Sequence, residues 1–309
     1  MVQFAIQETE DSEINGTNVN QPNESENILN EVFPNVVFLG TGSPGFQYCR
    51  NSSGILVNIS KTDAILLDCG QGTCSQIHRF YGSQAVQIFR RIKAIYVSHT
   101  HLDHHIGLFE MFRMRKIYLP KFRIPLLLIC PIYELQTWLN FYSNEIDEIE
   151  SDMKMIANRT LSTEMGLHRH LCQRIGIQNL RTCQVPHTES SYAVTLNITT
   201  SKEMFKLTYS GDTQPSDELI QLAQNSTLLI HEATFQDELE AMAKQKHHST
   251  ISQAILQAQK SNSKYTILTH FSHRYHNIPY INGDLPDRIG IAFDFMRVTV
   301  DDLPRLNSL

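Results

Sequence analysis

The stretch that most constrains this chain is Ser98–His105, which holds four histidines and one aspartate. The apolar run Lys93–Val97 comes directly before it and is typical of a buried strand. His99 and His101 are two residues apart, so in an extended segment they face the same side, and the aspartate follows where the chain turns. Imidazole and carboxylate ligands suit Zn²⁺, and Mn²⁺ or Fe²⁺ less often. We therefore expect a metal site here rather than a solvated histidine-rich loop.

The composition indicates a globular protein outside the membrane. The chain has 309 residues, of which 41% are hydrophobic, and this is ample for a buried core. No apolar run reaches the roughly 18 residues that a membrane span needs. The N-terminus lacks the charged and apolar regions of a signal peptide and is not an arginine-rich transit peptide. Six scattered cysteines favour a reducing compartment, so we expect an intracellular protein.

Negative charge is concentrated at the start of the chain. The net charge is −6, and residues 1–35 hold seven of the 32 acids and none of the 26 lysines and arginines. The remainder has 26 basic against 25 acidic residues, so nucleic-acid binding would need a local patch. The best candidate patch is Arg113, Arg115, Lys116, Lys121 and Arg123. We expect residues 1–34 to form an acidic flexible tail or linker, and residues 35–309 to form the catalytic domain.

Two further segments carry local predictions. Ile146, Ile149, Met153 and Ile156 have helical spacing, which predicts an amphipathic helix. The run Ile291–Val300 predicts a single closing strand.

The His-x-His-x-Asp-His motif at residues 99–104 is the signature of metallo-β-lactamase-fold hydrolases. Over about residues 35–309 the chain resembles one branch, tRNase Z (ribonuclease Z, a zinc phosphodiesterase), and it looks most like the C-terminal catalytic half of the long form. His231-Glu232-Ala233-Thr234 is a motif of this branch. The resemblance implies an α/β fold, an αβ/βα sandwich in which two mixed β-sheets are flanked by helices.

The resemblance also implies two Zn²⁺ ions in the active site. Their ligands would be His99, His101 and His187 on the first ion, Asp103, His104 and His270 on the second, and a bridging Asp212. From spacing alone, His187 would pass for a surface histidine. Asp68 ends a predicted strand, and we expect it to orient a ligating histidine, to cap the helix predicted at residues 73–81, or both.

The activity implied is hydrolysis of the phosphodiester between the tRNA body and its 3′ trailer, which leaves a 3′-hydroxyl on the tRNA and a 5′-phosphate on the trailer. His248 would be the acid held by Glu232, and Asp103 would orient the nucleophile or accept its proton. His247 is expected to face solvent, and Ser249 or Thr250 to cap the next helix. The implied substrate contacts are Arg50, Asn51, Ser272 and Arg274. Phe46 and Tyr48 replace the proline and lysine of the family's Pro-x-Lys-x-Arg-Asn loop.

Three alternatives stay open at this stage. The chain could be another phosphodiesterase of this fold that acts on small substrates, or a metal-free RNA-binding half. It could also be a catalytic half that needs a separate tRNA-binding half, because no Gly/Pro-rich arm is visible in the sequence. Precursor tRNA is the expected partner, together with a homodimer or a missing N-terminal half. Long forms serve the nucleus and mitochondria, so the resemblance points to one or both.

Overall fold

A computed structural model describes residues 31–44, 49–120, 124–146, 148–162, 165–201, 203–275 and 285–308. Phe33–Leu309 form one compact unit, and Met1–Val32 are assigned to another. Most of the predicted acidic tail therefore lies outside the described residues, and its boundary stays a prediction. Phe46, Tyr48, Lys121 and Arg123 also lie outside them.

The first sheet contains the strands nearest the histidine motif. Its strands are β1 (Asn35–Gly40), β2 (Gly54–Asn58), β3 (Ala64–Leu67), β4 (Ile92–Tyr96), β5 (Leu126–Cys130), β6 (Met153–Ala157) and β13 (Arg297–Thr299). They are ordered β13-β1-β2-β3-β4-β5-β6. The pairs from β13 to β3 are antiparallel and those from β3 to β6 are parallel. The carboxyl ends of β3 and β4 therefore meet at one edge, where Asp68 and the histidine motif follow.

The second sheet brings the other predicted ligands to its own edge. Its strands are β7 (Asn179–Gln184), β8 (Tyr192–Thr199), β9 (Met204–Tyr209), β10 (Leu228–Glu232), β11 (Tyr265–Thr269) and β12 (Ile289–Ile291). They are ordered β12-β11-β10-β9-β8-β7, with β9 to β12 parallel and β7 to β9 antiparallel. Because β9, β10 and β11 end together, the residues that follow each of them are neighbours.

Helices flank the two sheets, and one short helix lies within the histidine motif. They are α1 (Thr73–Tyr81), α2 (Ala85–Arg91), α3 (Leu102–His105), α4 (Leu108–Tyr118), α5 (Ile132–Glu145), α6 (Met165–Ile175), α7 (Asp217–Ala223), α8 (Glu240–Gln245) and α9 (Ile251–Lys260). None of the helices in the described ranges is both long and apolar enough to cross a bilayer.

Strand alternation builds two apolar layers. In β1, Val36 and Phe38 point into the core between the sheets, whereas Val37 and Leu39 point outward to a cluster that includes residues of α1, α2, α4 and α5. All four side chains are essentially inaccessible to solvent, and burying each contributes about 1.5–3 kcal/mol. The predicted αβ/βα sandwich with two mixed sheets is therefore confirmed.

Both local predictions were wrong. The helix expected at residues 146–156 is absent: this segment follows the end of α5 and contains a short 3₁₀ turn at Glu150–Asp152 and then strand β6, which pairs with β5. The strand expected at 291–300 is two short strands, β12 and β13, which belong to different sheets. The chain crosses between the sheets at residues 292–296, where Phe295 has a positive φ of 69° and cannot continue a strand.

Two residues of the predicted basic patch, Arg115 and Lys116, make contacts within the fold. Arg115 is buried, and its guanidinium donates to the carbonyls of Phe89 (2.7 Å) and Ile92 (3.1 Å). Burial lowers the pKa of Arg115 to about 10. Lys116 donates to the Glu148 carbonyl and forms an ion pair with Asp152. A phosphate-contacting role is therefore wrong for the buried Arg115, whereas Lys116 is half-buried and Arg113 is exposed.

Candidate metal centre

The first group of potential ligands comes from both sheets. His99 and His101 follow β4, His187 follows β7, and Asp212 follows β9. Nε2 of His99 and Nε2 of His187 each lie 3.0 Å from Nδ1 of His101. Asp212 Oδ2 is 3.6 Å from His99 Nε2 and 3.8 Å from His187 Nε2. Four donor atoms therefore surround one point, as the sequence predicted for the first ion.

The second group lies directly beside the first. Nε2 of His104 and Nε2 of His270 are 3.2 Å apart, and Asp103 Oδ2 is 3.2 Å from each of them. Asp212 Oδ2 is 3.3 Å from His104 Nε2, so its carboxylate is within reach of both groups. All seven predicted ligands are brought together in one cleft.

The spacing of these atoms fits bound cations. In a tetrahedral site with metal–nitrogen bonds of about 2.0 Å, ligand atoms are about 3.3 Å apart. Asp212 Oδ1 is also buried without a hydrogen-bond partner among the described residues, a costly arrangement unless a cation satisfies it. A donor set of imidazoles and carboxylates is the one that zinc prefers.

In most of the histidines predicted to bind metal, the ring nitrogen that does not face the cleft contacts another group of the protein. Such contacts fix the ring direction and the tautomer of a ligand. They are Ser98 Oγ to His99 Nδ1 (3.0 Å), Asp68 Oδ2 to His104 Nδ1 (2.7 Å), the His247 carbonyl to His187 Nδ1 (2.7 Å), and Thr234 Oγ1 to His270 Nδ1 (2.9 Å). The four Nε2 atoms therefore point into the cleft.

Asp68 is fully buried, and its carboxylate accepts several hydrogen bonds from residues in and next to the predicted ligand groups. Besides His104 it accepts from the Ser98 N–H (2.7 Å), the Ser98 hydroxyl (2.9 Å) and the Tyr209 hydroxyl (2.7 Å). These contacts match the orienting role expected from the sequence. The alternative role as a helix cap is wrong, because α1 begins after Gly72 without a side-chain cap.

Glu232 and His248 form a charged pair at the side of the cleft. His248 Nδ1 is 2.8 Å from Glu232 Oε1, and Glu232 also accepts from the backbone N–H groups of Thr213 and Thr234 at 3.0 Å each. Burial is the largest single effect and lowers the pKa of His248, but the charge and hydrogen bond of Glu232 and the charge of Asp212 together outweigh it and raise the pKa to about 9. Burial likewise raises the pKa of Glu232, yet His248 brings it below the usual value.

The segment that carries His248 is anchored on both sides. His247 is exposed, as predicted, and its positive φ of 57° turns the chain so that its carbonyl reaches His187. Thr250 caps α9 in a capping box with Gln253, which confirms one of the two predicted caps. The start of α9 therefore fixes where His248 stands.

The residues predicted to touch substrate fall into two classes. Arg50 donates to Thr41 Oγ1 (2.6 Å) and the Ala292 carbonyl (2.7 Å), and its guanidinium lies 4.7 Å from the Phe271 ring centroid. The Asn51 amide donates to the Gln71 carbonyl at 2.9 Å. Both side chains are thus occupied by contacts within the fold.

The other two predicted substrate contacts follow β11. Ser272 is buried, and its N–H donates to the Thr234 carbonyl at 3.1 Å. Arg274 is exposed, with its Nη1 3.4 Å from Ser272 Oγ. Of the two arginines among these four residues, Arg274 is the more exposed and therefore the more accessible to a bound phosphate.

Asp294 is a residue of this region that the sequence did not reveal. Its carboxylate accepts from the Thr41 N–H (3.0 Å), the Thr41 hydroxyl (2.7 Å), the Asn51 N–H (2.6 Å) and Gln76 Nε2 (3.2 Å). It therefore joins the crossing loop to the segments on either side of residues 45–48. No sequence signal marked it, because it is a single acid between two phenylalanines.

Comparison with known proteins relates this chain to one family model and to proteins named ribonuclease Z or zinc phosphodiesterase. A family model described as Anti-Pycsar protein Apyc1 matches residues 34–284. Ribonuclease Z, mitochondrial, of Drosophila melanogaster is 43% identical over 281 residues, which cover 90% of this chain and 36% of that protein. Zinc phosphodiesterase ELAC protein 2 of Macaca fascicularis is 38% identical over 288 residues, 90% of this chain and 34% of that protein. The chain therefore spans about a third of the length of these curated relatives.

Solved structures agree on the architecture. A long form RNase Z from yeast superposes with a TM-score of 0.79 at 28% identity, over 89% of this chain and 43% of that one. The metallo-β-lactamase fold protein YhfI from Bacillus subtilis has a TM-score of 0.65 at 18% identity, over 86% of this chain and 99% of that one, and shows the shared fold. The chain has the metallo-β-lactamase fold, its relatives are ribonucleases Z, and it belongs to the family described as Anti-Pycsar protein Apyc1.

Proposed function

We propose that this chain is a zinc-dependent endoribonuclease that hydrolyses the phosphodiester between the body of a precursor tRNA and its 3′ trailer. The products would be a tRNA 3′-hydroxyl and a 5′-phosphorylated trailer. The observation that carries the proposal is the meeting of all seven predicted ligands in one cleft beside the His248–Glu232 pair. The names ribonuclease Z and zinc phosphodiesterase, borne by relatives, support this substrate and metal.

We propose two zinc ions, with the ligands that the family resemblance implies: His99, His101 and His187 would hold one ion, Asp103, His104 and His270 the other, and the Asp212 carboxylate would serve both. When bound, zinc would lower the pKa of a water molecule and stabilise negative charge on the phosphoryl group. Asp103 is suited to orient that water or accept its proton, because its carboxylate stays ionised. Burial raises the pKa of Asp103, but the charge of His104 and hydrogen bonds from His104 and His270 bring it well below the usual value.

His248 is the proposed proton donor to the leaving 3′-oxygen. Its Nδ1 is occupied by Glu232, so Nε2 is the ring nitrogen that donates. Glu232 keeps the imidazole protonated near neutral pH, which a general acid requires. A ribose oxygen is a poor leaving group, so this proton matters most for RNA.

We propose that Arg274 binds a phosphate of the RNA, since it is exposed and follows His270 by four residues. Its Nη1 lies 3.4 Å from Ser272 Oγ. Arg50 and Asn51 belong to the same substrate-binding rim, and their contacts with Thr41 and Gln71 hold this part of the rim in place.

The experiment that tests the function is cleavage of a 3′-extended precursor tRNA by the purified, zinc-loaded chain. A small aryl phosphodiester and the His248→Ala variant are run beside it. We expect cleavage after the discriminator nucleotide, about 10²–10⁴-fold slower in His248→Ala, with little loss on the aryl ester because that leaving group needs no proton. Turnover of the ester with no cleavage of any precursor tRNA, even with added N-terminal half, would refute the tRNA assignment.

A second candidate is a catalytic half that needs a separate tRNA-binding half. It is favoured by the length of the relatives, of which the chain covers 34–36%. In that case the chain cleaves the aryl ester alone and cleaves precursor tRNA only when the remaining part of the long form, or a second copy of this chain, is present. Full turnover of precursor tRNA by a monomer would exclude this. The Drosophila relative is named mitochondrial, and we propose mitochondria, with or without the nucleus, as the site of action.

A further inference from the structure

Thr234 lies between the acid pair and the metal ligands. It is 3% exposed, and its Oγ1 is 2.8 Å from Glu232 Oε2, 2.9 Å from His270 Nδ1 and 3.3 Å from His248 Nδ1. We propose that the Thr234 hydroxyl is a positioning group that links Glu232 to His270, so that one carboxylate orients both the proton donor and a metal ligand. The inference rests on the proposed function only for the role of the proton donor.

The direction of these hydrogen bonds follows from the groups themselves. A hydroxyl has one proton and two lone pairs, and an ionised carboxylate can only accept. The proton of Thr234 therefore goes to Glu232, and a lone pair of Oγ1 accepts from the Nδ1–H of His270. This arrangement fixes His270 in the tautomer whose Nε2 has a free lone pair for a metal.

His270 has one other acceptor near Nδ1. Asp212 Oδ1 lies 3.4 Å from that nitrogen. Without the hydroxyl of Thr234, the Nδ1–H would turn to Asp212, and this would divert both the ring and the bridging carboxylate from the ions. The hydroxyl thus keeps two of the seven ligands directed into the cleft.

The backbone holds Thr234 independently of its hydroxyl. Its N–H donates to Glu232 Oε2 at 3.0 Å, and its carbonyl accepts from the Ser272 N–H at 3.1 Å. Replacing the hydroxyl by a methyl group therefore leaves the loop in place. Thr234→Val removes the link with little change of shape, and Thr234→Ser retains it.

Glu232 provides an independent test of the same link. It belongs to none of the groups of potential metal ligands among the described residues. If the carboxylate orients His270 through Thr234, Glu232→Gln weakens zinc binding although the side chain holds no ion. Glu232 Oε1 also accepts from the Thr213 N–H next to Asp212, and Thr234→Val leaves that contact in place, so a loss of affinity in both variants is the signature of the link.

The experiment measures zinc affinity of the metal-free chain by competition with a chromogenic chelator, together with kcat on precursor tRNA and on the aryl phosphodiester. We expect Thr234→Val and Glu232→Gln each to lower the affinity for one ion by about 10–100-fold. Thr234→Ser should restore affinity and kcat to within a few-fold. Thr208→Val is the matched control, because it removes an equally buried hydroxyl bonded to Thr195 and Ser226, away from the cleft.

Zinc affinity separates this inference from the proposed function, because it needs no RNA substrate. Unchanged affinity in both Thr234→Val and Glu232→Gln would overturn the link, as would a Thr234→Ser variant as weak as Thr234→Val. If Thr234→Val does not fold, Glu232→Gln and Thr234→Ser decide the matter. If the affinities change as expected but precursor tRNA is not cleaved, the link stands and the tRNA assignment fails.

Discussion

At the residue scale, metal binding by the candidate centre depends on which ring nitrogen of each histidine carries the proton. Asp68 accepts four hydrogen bonds, and the one from His104 Nδ1 leaves His104 Nε2 free for a metal. Replacing Asp68 by Asn keeps the shape but removes a charge and places an N–H group among donors. We expect Asp68→Asn to bind zinc about 10–100-fold more weakly in a chelator competition. Unchanged affinity would show that His104 is oriented without the carboxylate.

The pH dependence of the reaction tests the Glu232–His248 pair. A general acid acts in its protonated form, so the rate falls as pH rises through its pKa. Glu232 raises the pKa of His248, and therefore Glu232→Gln should shift the alkaline limb of the kcat profile on precursor tRNA to lower pH. The aryl phosphodiester, which needs no proton, serves as the control. An alkaline limb that does not move would exclude His248 as the group that titrates.

The residues of the site differ in how far sequence alone could reveal them. One short motif contains His99, His101, Asp103 and His104, and its spacing alone predicted a metal site. His187, Asp212 and His270 are isolated at strand ends, and only the resemblance to a family assigned them. Asp294 could not be foreseen, because its partners Thr41 and Asn51 lie more than 240 positions away and meet it only in the fold.

At the element scale, the crossing loop at residues 292–296 connects the sheets and contacts the segment that carries Arg50 and Asn51, the proposed substrate-binding rim. The Asp294 carboxylate holds the N–H groups of Thr41 and Asn51, and leaving a buried N–H unpaired costs about 1–3 kcal/mol. We expect Asp294→Ala to lower the free energy of unfolding by about that amount and to raise KM for precursor tRNA more than KM for the aryl ester. Asp302→Ala is the control, since Asp302 accepts similar bonds from Thr299 in the turn at the other end of β13. Equal effects of the two variants on KM for RNA would contradict the role of Asp294.

The same scale shows why two elements were predicted wrongly. Apolar residues at 146, 149, 153 and 156 fit a helical period, yet Met153–Ala157 gains more by joining the edge of the first sheet beside β5. The sequence pattern at residues 291–300 predicted one strand, but within this segment the chain leaves the second sheet and enters the first. A local sequence pattern cannot show which sheet edge has room for another strand. The central strands could therefore be predicted from the sequence, whereas the edge strands could not.

At the scale of the whole molecule, the candidate metal centre draws its residues from both sheets of the sandwich. Four of its proposed ligands follow β4 in the first sheet, and the other three follow β7, β9 and β11 in the second: His99, His101, Asp103 and His104 against His187, Asp212 and His270. A bound ion would therefore stabilise the packing of one sheet on the other. Without cations, the buried Asp212 carboxylate has an oxygen with no hydrogen-bond partner among the described residues.

Removal of zinc should therefore lower the stability of the whole domain and not of one loop. A ligand that binds only the folded state stabilises it by about 2.7 kcal/mol at a hundredfold excess over Kd, which corresponds to a rise in Tm of roughly 5 °C or more for a domain of this size. We expect chelation to lower Tm by at least that much, and hydrogen exchange to quicken in strands of both sheets, because ligands from both hold the ions. Asp212→Asn, which lacks the bridging charge, should respond much less to zinc. If chelation quickened exchange only in the loops around residues 99–105, the ions would not join the sheets, and the centre would be a local site built on an already stable sandwich.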